Sequence, residues 1–194
     1  MKPVLLVILL LASLLLNVGF LIRSWRAQVV ISVPDGDSLQ LRDGRRVRLL
    51  GIDAPEKGRC MAEEAREQLS YLAMNKHVRL KDRVTDDYGR VLANVFVGGK
   101  LIQAIMIRDG LARGEPSAYA RGKKLGIYSE TCRKTAAPGG CAIKGNIREG
   151  KSVYYLPSCA YYDQVIVDEA FGDRWFCKEL EAQKAGFISA PSCK

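Results

Sequence analysis

Histidine is nearly absent: His77 is the only one in 194 residues. That excludes hydrolysis by a pair of catalytic histidines. It also weakens a zinc reading, because none of the six cysteines stands in a CxxC pair. The chain has no internal repeats and no low-complexity tracts, so its length allows one ordinary domain with something small beside it. Acidic residues are the minority, 21 Asp+Glu against 30 Lys+Arg, for a formal charge of +9. Such a balance points to an anionic partner, either nucleic acid or a lipid surface.

The excess charge is unevenly spread. Residues 27–134 hold 20 Lys+Arg against 14 Asp+Glu, while residues 135–194 hold 7 of each. The middle of the chain is therefore the expected polyanion binder. Ahead of it, Val4 to Ile22 is an unbroken apolar run that would span roughly 30 Å as a helix, the hydrocarbon thickness of a bilayer. The run exceeds the usual core of a cleaved signal peptide and ends in "RSWRAQ" without a small-x-small site, so an uncleaved anchor is expected over a signal segment. All six cysteines (Cys60, Cys132, Cys141, Cys159, Cys177 and Cys193) follow this run. An even number in an exported chain favours disulfides, with the soluble part in the periplasm or outside the cell, or secreted if the segment is removed.

Short strands follow. "AQVVISV", "SLQL" and "RVRLLGI" alternate apolar with polar residues, and Asp43-Gly44 marks a hairpin between the second and third. "CMAEEAREQLSYLAMNK" places Ala62, Ala65, Leu69 and Leu72 at helical spacing. "HVRLKD" and "VLANVFV" are two more strands, and "LIQAIMIRDG" is a helix stopped at Gly110. Three strands, a helix, two strands and a helix are the element order of a five-stranded Greek-key barrel of the OB type. "RKTAAPGG", residues 133–140, has linker composition. The segment beyond it, with short strands and one helix ending at Gly186, is small enough to need cross-links. The expected fold is thus mainly β with helices, an α+β arrangement. A membrane or signal segment occupies residues 1–26, an OB-type barrel with two to three helices residues 27–134, and a cysteine-containing module residues 135–194.

Three clusters carry chemistry: "PDGDS" with Asp35 and Asp37, "RLLGIDAPE" with Arg48, Asp53 and Glu56, and "TDDYGR" with Tyr88 and Arg90. Two carboxylates beside a main-chain carbonyl make a hard oxygen site suited to Ca²⁺. Two arginines match the geometry of a phosphate, and a further carboxylate near a metal-bound water can deprotonate it. Taken singly the clusters are ordinary, since Asp-Gly-Asp is common turn chemistry and a strand arginine is commonly a surface pair.

In this order, across a five-strand pattern, the three motifs resemble the staphylococcal (micrococcal) nuclease family, the thermonucleases, from about Val29 to Glu130. The resemblance implies a Ca²⁺ site of Asp37, Asp53 and the backbone of Ala54, where the family usually has threonine. It implies phosphate-binding arginines at Arg48 and Arg90, a water-activating Glu56, and Tyr88 near the nucleotide phosphate. Asp87 stands where the family often has lysine. The family's long tyrosine-bearing loop is replaced by "RGEPSAYARGKK", in which Tyr119 is the candidate for base stacking. The implied activity is Ca²⁺-dependent endonucleolytic hydrolysis of DNA and RNA with low sequence specificity and 3′-phosphate products. Single-stranded or frayed duplex is the preferred substrate, no small-molecule cofactor is implied, and a monomer is expected.

The segment "CAIKGNI", "VYYLPS", "RWFCKELEAQKAG" resembles a small module found after bacterial nuclease domains, with Tyr155 where that pattern has histidine. The resemblance suggests a Cys141–Cys177 disulfide. Cys159 with Cys193 and Cys60 with Cys132 would then be the remaining pairs, one of many connectivities open to six cysteines. The alternative function is a non-catalytic module that binds nucleic acid or protein in the envelope, with the tail holding a partner. Such modules typically lose the acidic and arginine residues, and here all five side chains are present.

Overall fold

Alternation along two short strands sets the first core. In β2 (Ser38–Leu41) Leu39 and Leu41 are buried while Gln40 between them faces solvent. In β3 (Arg46–Leu49) Val47 and Leu49 are buried and Arg46 is exposed. A pleated strand sends successive side chains to opposite faces, so this pattern commits one face of each strand to the interior. The turn between them is built by Asp43, whose Oδ1 accepts the Arg45 N–H at 3.1 Å, and by Gly44.

The computed structural model describes residues 2–135, 138–148 and 150–193; for residues 2–6, 20–27 and 138 it describes the backbone alone. It has two compact units. One comprises Met1–Pro34, Ser38–Leu50 and Leu69–Ile102; the other comprises Asp35–Asp37, Gly51–Gln68 and Gln103–Lys194.

The first unit is a barrel. β1 (Val30–Ser32), β2, β3, β4 (Arg79–Thr85) and β5 (Val91–Val97) pair in the order β1-β2-β3-β5-β4, with β3 and β5 parallel and the other neighbours antiparallel. The first and fourth strands are joined by an antiparallel bridge at Val29 and His77, reinforced by Val30 N–H to the Lys76 carbonyl and Val78 N–H to the Gln28 carbonyl, both 3.0 Å. Closure in this way removes the open edges a flat sheet would present. β6 (Lys100–Leu101) returns along β5. Val30, Val78, Ala93, Val95 and Ile102 complete the interior with Leu69 and Ala73.

Those last two lie on α2 (Ala62–Ala73), the helix expected between the third and fourth strands. Ala62, Ala65, Leu69 and Ala73 are its buried positions, and Leu72 is only half-buried. α3 (Ile102–Arg108) is shorter than its sequence pattern, because Lys100 and Leu101 are used by β6.

α1 (Lys2–Ala27) covers the N-terminal apolar run. No helix is long and apolar enough to cross a membrane among the described residues. The ends of the expected span, residues 4–6 and 20–22, lie outside the residues whose side chains are described.

The second unit has two hydrophobic cores. One gathers Ala120 of α4 (Ala118–Gly122), Ile127, Tyr128, Cys132 and Ala170, with Cys60, Met61, Leu125 and Phe171 against it. The other gathers Ile143, Tyr154, Phe176, Ala182 and Phe187, with the rings of Phe176 and Phe187 edge to face at 5.1 Å. Around that second core β8 (Ile143–Arg148), β9 (Lys151–Tyr155), β11 (Arg174–Phe176) and β12 (Ile188–Ser189) form a sheet in the order β11-β8-β9-β12. α5 (Glu179–Lys184) contributes Ala182.

The stretch read as linker begins instead as a strand: β7 (Arg133–Lys134) pairs antiparallel with β10 (Val167–Asp168). Composition misled there because both residues are polar and the run ends in Ala-Ala-Pro-Gly-Gly. Ala136 and Ala137 lie outside the described residues.

Three disulfides are formed: Cys141–Cys177, which the resemblance suggested, and Cys60–Cys132 and Cys159–Cys193, the pairs expected to remain; no described cysteine is free. By unfolded-chain entropy the first, across a separation of 72 residues, contributes about 4 kcal/mol. Leu39→Ala should cost about 2–5 kcal/mol in urea denaturation, and Gln40→Ala less than about 0.5 kcal/mol. Equal costs at the two positions would contradict the inward and outward assignment of β2.

Candidate active site

The loop before β2 is an Asp-Gly-Asp turn whose two carboxylates have different tasks. Asp35 makes the turn, its Oδ1 accepting the Asp37 N–H at 3.1 Å. Asp37 is turned inward, only 3% exposed, and its Oδ2 accepts the Ala54 N–H at 3.0 Å. A buried carboxylate is tolerated only with such partners, since an unpaired one would carry a desolvation cost of several kcal/mol. Gly36 allows the approach. A Cβ at that position would lie 2.7 Å from the Cβ of both Ala54 and Ala65.

Burial alternates over residues 52–54 and then stops, because Pro55 is buried next to Ala54. Ile52 and Ala54 are buried, and Asp53 between them points outward. The backbone of Asp53 is fixed from both sides: its N–H donates to the Arg113 carbonyl at 3.0 Å, and its carbonyl accepts the Arg113 N–H at 2.7 Å. Asp35, Gly36, Asp37, Ala54, Pro55 and Glu56 line a shallow surface hollow, with Glu56 exposed at its rim. Asp37, Ala54 and Glu56 are thus brought together, with Asp53 beside them in the chain.

Arginine and tyrosine positions of the barrel unit are placed by its strands. Arg48 is half-buried on β3, opposite Ser38 of β2 and Leu92 of β5. Arg90 enters β5 from a turn organised by Asp86. The Asp86 Oδ1 accepts the N–H groups of Tyr88 (3.0 Å) and Arg90 (2.9 Å), and its Oδ2 accepts the Arg90 Nε at 2.7 Å. Desolvation alone would raise the Asp86 carboxyl, but the backbone and guanidinium donors of Arg90 and the Tyr88 N–H outweigh it and hold it below the ordinary carboxylate value. The exposed Tyr88 ring lies 5.4 Å from the Arg90 guanidinium. Tyr119 is exposed on α4.

Asp37 and the Ala54 main chain offer oxygen at the hollow, the donor type a hard cation takes, and Asp53, which does not line it, is the next residue in the chain. Among the described residues no three His, Cys, Asp or Glu side chains form a ready-made metal cage. With two carboxylates, Ca²⁺ there would complete its shell with water.

Sequence reading missed Asp86, which orients Arg90, and Arg113, which fixes Asp53. The first carries a legible signal in "DDYGR", an aspartate two residues before the turn tyrosine and four before the arginine. The second carries none, because pairing between residues 53 and 113 leaves no local pattern.

A family model described as staphylococcal nuclease homologue matches residues 46–135, which takes in every expected site residue except Asp37. The chain is similar to Protein ParB of Escherichia coli, 32% identical over 126 residues that cover 52% of this chain and 71% of that protein. It is also similar to Micrococcal nuclease of Shigella flexneri, 32% identical over 126 residues, with 52% and 72% covered. Thermonuclease of Staphylococcus intermedius is 33% identical over 123 residues, with 56% and 70% covered.

Two outcomes follow from this geometry. Gly36→Ala should destabilise the protein by about 1–3 kcal/mol through overpacking against Ala54 and Ala65, measured by thermal or chemical denaturation; an unchanged midpoint would contradict the close approach. The Asp86 carboxyl has its folded value below its ordinary 3.8. Its contribution is therefore fully present above that value and is lost as pH falls through the lower one. The NMR signals of the Tyr88 and Arg90 amides should titrate only below pH 3.8, and a transition at neutral pH would contradict the assignment.

Proposed function

This chain belongs to the family of staphylococcal nuclease homologues, and we propose that it is a Ca²⁺-dependent endonuclease. Its substrates are DNA and RNA, cut with little sequence preference to leave 3′-phosphates. The observation that carries this reading is the buried Asp37 carboxylate joined to Ala54 at a hollow rimmed by Glu56. Such a carboxylate contributes negative charge where a cation is wanted, and the neighbouring Glu56 remains open to water.

Asp37, Asp53 and the main chain of Ala54 would hold Ca²⁺, which when bound supplies positive charge beside the phosphate and makes water more acidic. Glu56 orients the attacking water and takes its proton as the oxygen adds to phosphorus. Arg48 and Arg90 donate to the non-bridging oxygens, on which charge grows. Asp86 keeps the Arg90 guanidinium aimed, as an aspartate does for a catalytic base in other hydrolases. The bond from phosphorus to the 5′-oxygen breaks, that oxygen takes a proton from solvent water to leave as a hydroxyl, and Glu56 returns its proton to solvent.

Tyr88 stands beside the phosphate donors, and Tyr119 offers an exposed ring for a base. Engagement through backbone charge and stacking suits single-stranded or frayed substrates and explains weak sequence preference. In this reading α1 anchors the protein in a bacterial membrane with the remainder on the periplasmic or outer side, an environment in which three disulfides persist.

Glu56→Gln tests the assignment. It should lower the cleavage rate by about 10² or more, while affinity for a non-cleavable oligonucleotide changes by less than about twofold. Cleavage at the unaltered rate would remove Glu56 from the reaction.

A further inference from the structure

Residues 136–194 lie beyond the family match, and nothing in the reaction above gives them a task. We propose that this segment positions the Asp53–Glu56 loop, with Arg113 and Asp168 as the positioning residues. The inference rests on the reading of that loop as the metal- and water-handling part of a nuclease.

Asp53 is exposed, so burial does not fix it, and its main chain is held by the two hydrogen bonds to Arg113. Arg113 is thus one of the anchors of Asp53, beside the bond from the neighbouring Ala54 N–H to Asp37. The Arg113 side chain reaches into the C-terminal segment. Its Nη2 is 3.2 Å from Asp168 Oδ2, and its guanidinium lies 3.2 Å from the centroid of the Phe171 ring.

Asp168 is a firm anchor. It is 2% exposed, its strand β10 is paired to β7, its N–H donates to Asp173 Oδ2 at 3.1 Å, and its own Oδ2, which faces Arg113, also accepts Arg133 Nη2 at 3.1 Å. Phe171 packs against the core that contains Cys132 and Ala170. A buried carboxylate shared by two guanidinium groups is destabilised strongly when one of them is removed, so it resists displacement of Arg113.

The far end of the loop is gripped by the same segment. The Arg59 N–H closes a turn onto the Glu56 carbonyl at 3.0 Å, and Cys60 is disulfide-bonded to Cys132. The Cys132 carbonyl accepts the Glu169 N–H at 2.9 Å. Gly172 packs against the Arg59 guanidinium, and its φ of 90° explains a glycine there. Residues 167–173 thus hold both the Asp53 end and the Cys60 end of the loop that carries Glu56. Misplacement of a catalytic group by about 1 Å can cost 10²-fold in rate, so a scaffold for an exposed loop has a direct catalytic consequence.

The test uses the full chain with Arg113→Ala, Arg113→Lys, Asp168→Asn and the double variant Arg113→Ala/Asp168→Asn. Hydrogen exchange of residues 51–58 should quicken about tenfold or more in Arg113→Ala and in Asp168→Asn, while residues 38–49 of the barrel keep their protection. Cleavage should lose about 10-fold to 100-fold in kcat with KM changed by less than about twofold. Arg113→Lys should restore part of both, and the double variant should be no worse than the poorer single one. Unchanged exchange at residues 51–58, or additive losses in the double variant, would overturn the proposal. The exchange result decides it even if the wild-type chain cleaves nothing, an outcome that would sink the nuclease reading alone.

Discussion

The hydrogen bond from the Ala54 N–H to the buried Asp37 carboxylate joins two stretches 17 residues apart and fixes what else can stand there. It requires the loops to approach closely, which is why position 36 is a glycine and why its neighbours, Ala54 and Ala65, carry only methyl groups. It holds a carboxylate inside the protein and sets Glu56 at the rim of the same hollow. Local backbone chemistry, steric fit and electrostatics therefore meet in one contact. The contact also ties the aspartate of the first motif to the second motif, so the two acidic loops come together in the fold.

Stability around the site comes from two sources. The barrel unit relies on apolar alternation in short strands and on closure through Val29 and His77. The other unit has small cores of five buried residues each, and three covalent links add constraint to them. Small cores supply little free energy by themselves, so cross-linking is the expected remedy. Reduction of these bonds would remove about 4 kcal/mol per long loop.

The strands of the barrel were legible because period-two alternation and turn residues such as Asp43-Gly44 are local signals, and α2 because its alanines and leucines repeat at helical spacing. The motif residues could be matched to a family by order and spacing. The pairing of cysteines came from a resemblance, not from their positions. Three features were not legible. β7 hides in two polar residues ahead of a linker-like run. The bend of Asp37 inward and Asp53 outward depends on which loops meet. The contact of Arg113 with Asp168 spans 55 residues and follows from how the second unit packs. Local patterns encode elements, and long-range packing decides which charged groups become partners.

Cleavage of single-stranded DNA and of RNA by the intact, disulfide-bonded chain, first with Ca²⁺, then with a chelator, then with Ca²⁺ restored, tests the central claim most directly. Cleavage should stop on chelation and return with the metal, leaving ends that carry 3′-phosphates. Cleavage that persists in chelator, or a folded protein that binds these substrates and cuts neither, would contradict it.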